Sequence, residues 1–153
     1  MAYDPKHIIN TANSFLLAAD RALEQRPVEH GQFQMLFVPA IMSTAFAVEL
    51  YFKSIATLEN GNARGHDLSV LFECLSPKSQ ATLIASFPID TSAFKQKLKS
   101  ISDAFVEWRY IFEQQSVNLD FQFLKELAQV SRLIAESCLT LRSSGTAQKR
   151  AAP

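Results

Sequence analysis

Glu49 and Lys53 stand four residues apart, and so do Arg109 and Glu113. On an α-helix that spacing puts each pair on one face, one turn apart. At ~100° per residue, both pairs fall at the edge of their helix's apolar stripe rather than opposite it. Two readings follow. Each pair is a local ion pair, worth little if solvated. Or Glu49 and Arg109 meet across the helix interface, partly buried, with guanidinium donors left over for an anion. His66 belongs to Gly65-His66-Asp67-Leu68, at the start of a short helix. It either helps cap that turn or contacts a phosphate or substrate, since helix N-termini present N–H groups to anions. The candidate ligand-binding residues are therefore Arg109, Glu49, Lys53, His66 and Glu113. Candidates for catalysis are Arg109 and His66. His7 and His30 lack an acidic or cysteine partner in the sequence and read as surface residues.

Other chemistries find no support in the residue pattern. Cys74 and Cys138 are far apart and neither has a Cys or His at ligand spacing, so no zinc site is readable and both read as core thiols. There is no phosphate-binding glycine loop and no Gly-x-Ser-x-Gly elbow. No metal and no cofactor are expected. Lys plus Arg equals Asp plus Glu at 15 each, so no global charge draws the chain to nucleic acid or anionic lipid. Any RNA contact must come from a local patch. No leader pattern opens the chain, and its apolar stretches are interrupted too early to span a bilayer, so no membrane is expected and the cytoplasm is the expected location.

The elements that must position these residues are helical. The chain has 153 residues, 48% of them apolar, with 4 Gly and 6 Pro, which suits one domain of long helices around a single core. Helix 1 is expected from Pro5 to Gln25, capped by Asp4, with Ile8, Ala12, Phe15, Ala19 and Leu23 as its stripe. Val28 to Gln34 reads as a loop around Gly31. Helix 2 is expected from Met35 to Leu58. Its stripe Ile41, Ala45, Val48, Phe52 and Ile55 is widened by Met42, Phe46 and Leu50, which marks it as central. Asp67 and Ser76 cap two short helices. The strongest periodic signal is Phe94, Leu98, Ile101, Phe105, Trp108 and Phe112, read as one helix from Asp90 to Gln115 facing helix 2. Tyr110 falls on its opposite side and reads as an oligomer contact or an isolated surface tyrosine. Asn118 or Asp120 caps a last helix carrying Leu124, Leu127, Ser131, Ile134, Cys138 and Leu141. Residues 143–153 read as a flexible polar tail after a single domain over residues 1–142. The expected fold is all-α: an up-and-down bundle of four long helices, with the short helical pair as a crossover.

Three stretches, in this order, resemble the HEPN family of small helical domains. They are Ala47-Val48-Glu49-Leu50-Tyr51-Phe52-Lys53, Gly65-His66-Asp67-Leu68, and Phe105-Val106-Glu107-Trp108-Arg109-Tyr110-Ile111-Phe112-Glu113. The resemblance spans roughly Ala2 to Leu141. It implies a four- or five-helix bundle, frequently a homodimer, acting in toxin–antitoxin pairs, antiviral defence or RNA processing. A protein partner such as a nucleotidyltransferase-like antitoxin is one implication. Catalytic members resemble metal-independent endoribonucleases, whose signature is an Arg followed four to six residues later by a His. Arg109 matches the arginine, but Gln114, Gln115 and Ser116 stand near where that histidine should follow. None of these exchanges protons near neutral pH. The function expected is therefore a non-catalytic RNA- or nucleotide-associated binding module. The alternatives are a ligand-free helical dimerisation scaffold, and a diverged endoribonuclease using Arg109 and His66.

Overall fold

The computed structural model describes residues 4–109 and 119–150, with side chains at all of these except Glu29, Phe33, Glu107, Arg109 and residues 145–150. The described chain is all-α apart from one small hairpin. The helices are α1 (Pro5–Ala22), α2 (Phe37–Leu58), α3 (Leu68–Glu73), α4 (Pro77–Ala85), α5 (Thr91–Ser100), α6 (Ala104–Arg109) and α7 (Phe121–Arg150). The long helices α1, α2 and α7 pack together. α2 is central, touching α1, α7, α6 and α3.

Local signals account for most boundaries. Asp4 caps α1 by accepting from the Lys6 N–H at 3.0 Å, with Pro5 in the first turn. The buried line of α1 is Ile9, Ala12, Leu16 and Ala19, so the helix is rotated slightly from the expected stripe, with Ile8, Phe15 and Leu23 half-buried. α1 ends at Ala22, earlier than expected, because the chain turns there into a hairpin. Arg26–Pro27 pairs antiparallel with Phe33–Gln34, and His30 and Gly31 take positive φ at the tip. Alternation could not signal strands of two residues each.

α2 carries Pro39 in its first turn and buries every member of its expected stripe. Asn60 stops it with φ 61°, and the Gly61 N–H returns to the Ala56 carbonyl at 2.7 Å. Arg142 of α7 donates to the Thr57 and Leu58 carbonyls, covering acceptors the helix end leaves open. α2 is also long and apolar enough to cross a membrane, but 67% of that apolar window is buried inside the fold.

The helix expected from Asp90 to Gln115 is corrected. Its described part is two helices, α5 and α6, separated by a turn at residues 101–103. Ser102 explains the interruption. Its carbonyl accepts the Leu68 N–H at 3.1 Å, and its hydroxyl meets both the Ser69 hydroxyl and the Ser69 N–H. The polar groups of Ser102 thus dock the start of α3, competing with helix continuation. The stripe is divided accordingly. Phe94 packs among Phe72, Phe87 and Phe123, while Phe105 stacks on Phe46 of α2 at 4.8 Å. Among the described residues, α6 carries the part of the stripe that packs along α2.

α7 starts at an Asp120 cap that accepts the Phe123 N–H at 3.0 Å. It runs helically to Arg150, past the expected end, with the Ser143 and Ser144 hydroxyls bonded one turn back. Nothing in Ser143–Arg150 breaks the helix outright, since its lone Gly145 costs only about 1 kcal/mol. Cys74 and Cys138 are free and half-buried rather than sealed in the core.

Candidate functional site

Glu49 sits two residues before the fully buried Tyr51 on the central helix, and its side chain is only 1% exposed. A carboxylate at that depth needs partners for its charge. Lys53, one turn on, brings Nζ to within 2.7 Å of Oε1. His66 reaches across from the loop before α3, with Nδ1 at 3.0 Å from both Oε1 and Oε2. An ionised carboxylate has no proton to give, so Nδ1 must carry the hydrogen of this contact. The arrangement is a buried acceptor holding two cation-forming side chains at its rim, Lys53 at 24% and His66 at 57% side-chain exposure.

The loop sets up this contact. Gly65 has φ +91°, a conformation that glycine adopts without a Cβ clash, and it turns the chain just before His66. Asp67 then caps α3 through the Ser69 and Val70 N–H groups and receives Lys99. Burial pushes the Asp67 carboxyl up, but the Val70 N–H, Lys99 and the Ser69 N–H outweigh it and leave it below the usual range. Asp67, not His66, is therefore the cap, and His66 is left to reach Glu49.

Phe105 of α6 lies 6.2 Å from the His66 ring, centroid to centroid, at a tilt of 36°. Behind it the rings continue through Phe46 to Phe15, the last pair edge-to-face at 4.6 Å. All three phenylalanines are half-buried. α6 packs along α2, and its described residues run to Arg109.

Of the expected site residues, Glu49, Lys53 and His66 are brought together. Glu113 lies outside the described residues, and so does the side chain of Arg109. The expected Glu49–Arg109 bridge therefore also lies outside them, as do Tyr110, Phe112 and the segment Gln114 to Ser116. Within the described residues, Glu49 points to Lys53 and His66.

Sequence reasoning missed two further polar groups. The Tyr51 hydroxyl, wholly buried, donates to Asn13 Oδ1 at 2.6 Å. Asn13 in turn donates to Glu136, which also takes Arg132 at 2.9 Å. Burial, eased by Arg132 and reinforced by Glu136, raises the phenol to about 12. This chain of bonds ties α1, α2 and α7 in register. A tyrosine between Leu50 and Phe52 on the most apolar helix was the available signal, since a buried hydroxyl needs a partner. The second group is Glu59, whose carboxylate accepts from the hydroxyls of Ser76 and Ser79 and from the Ser76 N–H. Burial raises Glu59, but the serine hydrogen bonds and Lys78 outweigh it and hold it low. It fastens the end of α2 to the start of α4.

Among the described residues, no group of three or more His, Cys, Asp or Glu side chains is placed to hold a metal ion. Two surface depressions lie elsewhere. One of about 430 Å³ is lined by residues including Phe87, Lys125 and Val130, and one of about 140 Å³ by residues including Phe72, Lys95 and Lys99. Neither includes Glu49, and neither converges polar groups on a buried charge. The chain matches no protein-family model, no curated protein and no solved structure.

Proposed function

We propose that this chain is a HEPN-like module that binds RNA or nucleotides without cleaving them. The observation that supports the reading is the buried Glu49 carboxylate holding Lys53 and His66 at the protein's rim. A buried charge is costly to keep, and a hydrophobic residue there would serve stability as well or better. Its use is to orient two side chains that meet phosphates in water. The resemblance adds Arg109 as a phosphate contact, on a helix that packs on α2. It also adds the bundle topology, a homodimer, a protein partner such as a nucleotidyltransferase-like antitoxin, and a cytoplasmic setting in toxin–antitoxin or defence systems. The absence of a histidine at Gln114, Gln115 and Ser116 argues against the family's nuclease chemistry.

Calorimetric titration with AMP and with short mixed RNA tests the proposal. Binding should weaken with salt, as phosphate contacts do. It should also weaken in Arg109→Ala and in Lys53→Met. No binding at millimolar ligand, or binding indifferent to both substitutions, overturns it.

One observation favours a second reading, the diverged metal-independent endoribonuclease. Glu49 holds His66 by Nδ1, and no partner is found for Nε2 among the described residues. That is the arrangement of a proton-transfer group with an orienting carboxylate. Cleavage of mixed RNA without divalent ions, lost in both Arg109→Ala and His66→Gln, would establish it. Intact RNA after prolonged incubation would remove it.

A further inference from the structure

The charge at the candidate site is nearly balanced. Lys53 spends part of its charge on the Glu49 carboxylate at 2.7 Å, which reduces its pull on an anion. A phosphate alone would be held weakly there. What the cluster does offer is a flat ring whose plane is fixed. Both carboxylate oxygens of a buried residue grip the Nδ1 edge of His66, and the ring side chain is still 57% exposed. Phe105 lies on one flank of that ring, tilted by 36°. Beside it, Gly65 borders open space, since a Cβ there would meet nothing within 4 Å. Arg64, two residues back on the same loop, is exposed and has no ion-pair partner among the described residues.

Resting on the binding-module reading, we infer that the exposed face of His66 is a seat on which the base of a nucleotide stacks. The ligand class is thereby narrowed to nucleotide units with an accessible base, either free or in single-stranded RNA. A ring already immobilised loses little freedom on binding, so the stacking contact is realised nearly in full. Base–aromatic stacking tolerates any base, because every base has a π-face. The phosphate of the same unit would fall to cationic side chains at the rim, Lys53 and Arg64 among them. Glu49 acts through His66 and is a positioning residue.

The test compares AMP, a short oligoadenylate, ribose 5-phosphate and inorganic phosphate as ligands of the whole chain, by calorimetry and by proton NMR of the His66 ring. AMP and the oligoadenylate should bind roughly tenfold tighter than ribose 5-phosphate. The His66 ring protons should move upfield with AMP and not with ribose 5-phosphate. His66→Gln keeps a hydrogen-bonding group for Glu49 but removes the ring. It should bring AMP down to the affinity of ribose 5-phosphate, with the fold checked by circular dichroism. Equal binding of AMP and ribose 5-phosphate, without an upfield shift, overturns the stacking seat and leaves the phosphate reading standing. AMP preference that survives His66→Gln also overturns the seat. No binding of any of the four at millimolar concentration overturns both. Tighter binding of the oligoadenylate than of AMP identifies single-stranded RNA as the source of the base.

Discussion

Two aromatic clusters among the described residues are built from the same residue type and sit in different surroundings. Phe72, Phe87, Phe94 and Phe123 come from α3, the end of α4, α5 and α7, and all four are buried. Phe15, Phe46 and Phe105 form a ladder on the other side of the break in the α5–α6 stripe. They are half-buried, and their row ends on the exposed ring of His66. The first cluster packs ring on ring, with Lys97 Nζ over the outer Phe123 ring at 5.6 Å. The second abuts a buried carboxylate, two cation-forming side chains and a glycine turn. Burial of apolar area stabilises the first most strongly. The second gives up part of that burial at a place where a ring, a charge and open space coincide, which is what a binding site requires.

Substitutions can break or sharpen this contrast. Phe94→Ala should cost about 3–5 kcal/mol in denaturant unfolding, since it removes a fully buried ring packed against three others. A cost under about 1 kcal/mol would show that the cluster is not the core. Phe105→Ala should cost less, about 1–3 kcal/mol, because its ring is only half-buried. It should also loosen His66, seen as a changed ring-proton environment, which Phe94→Ala should not do at equal folded fraction. Glu59→Ala should cost about 1–2 kcal/mol, through the lost cap of α4 and its hydroxyl partners. Glu49→Met should change stability least, within about 1 kcal/mol, because an apolar residue of similar size suits a buried position. Yet it should abolish nucleotide binding. Retained binding in Glu49→Met would separate the carboxylate from the site.

Acid titration sharpens the same contrast at the level of charge. Glu59, Asp67 and Asp120 all have carboxyls held below their ordinary values. In Asp120 the Lys97 hydrogen bond and the Phe123 N–H are the main causes, against burial. A carboxyl depressed in the folded state binds fewer protons there than when unfolded. Its stabilisation is therefore present above the unfolded values, 4.5 for Glu59 and 3.8 for the two aspartates, and is lost as pH falls through the folded ones. Stability should fall on acidification below about pH 4.5, and Glu59→Gln should flatten part of that slope. An unchanged slope in the variant would remove Glu59 from the account.

Much of the fold was legible because helix signals are local. Asp4, Asp67 and Ser76 cap where their spacing says, and the α2 stripe is buried in full. The break at residues 101–103 was not legible. Periodicity counts apolar positions, and Phe94 to Phe112 keeps step across it. The cause is long-range, a serine carbonyl and hydroxyl taken by residues 68 and 69. The site was legible in part for the same reason. Glu49 and Lys53 share a helix face by arithmetic, whereas His66 reaches Glu49 only through the loop's path in space. Glu49's depth was also hidden, since a residue at the edge of a stripe is buried only when a further element covers that edge.

The account rests most directly on the contact between the buried Glu49 carboxylate and His66 Nδ1. A long-range proton–nitrogen correlation spectrum of the His66 ring at pH 8 reads that contact without any ligand. The account predicts that Nδ1 carries the hydrogen, with Nε2 bare when the ring is neutral, and that Glu49→Met removes this tautomer preference. A neutral ring with its hydrogen on Nε2 in the wild-type protein would contradict it, because a bare Nδ1 cannot donate to the carboxylate.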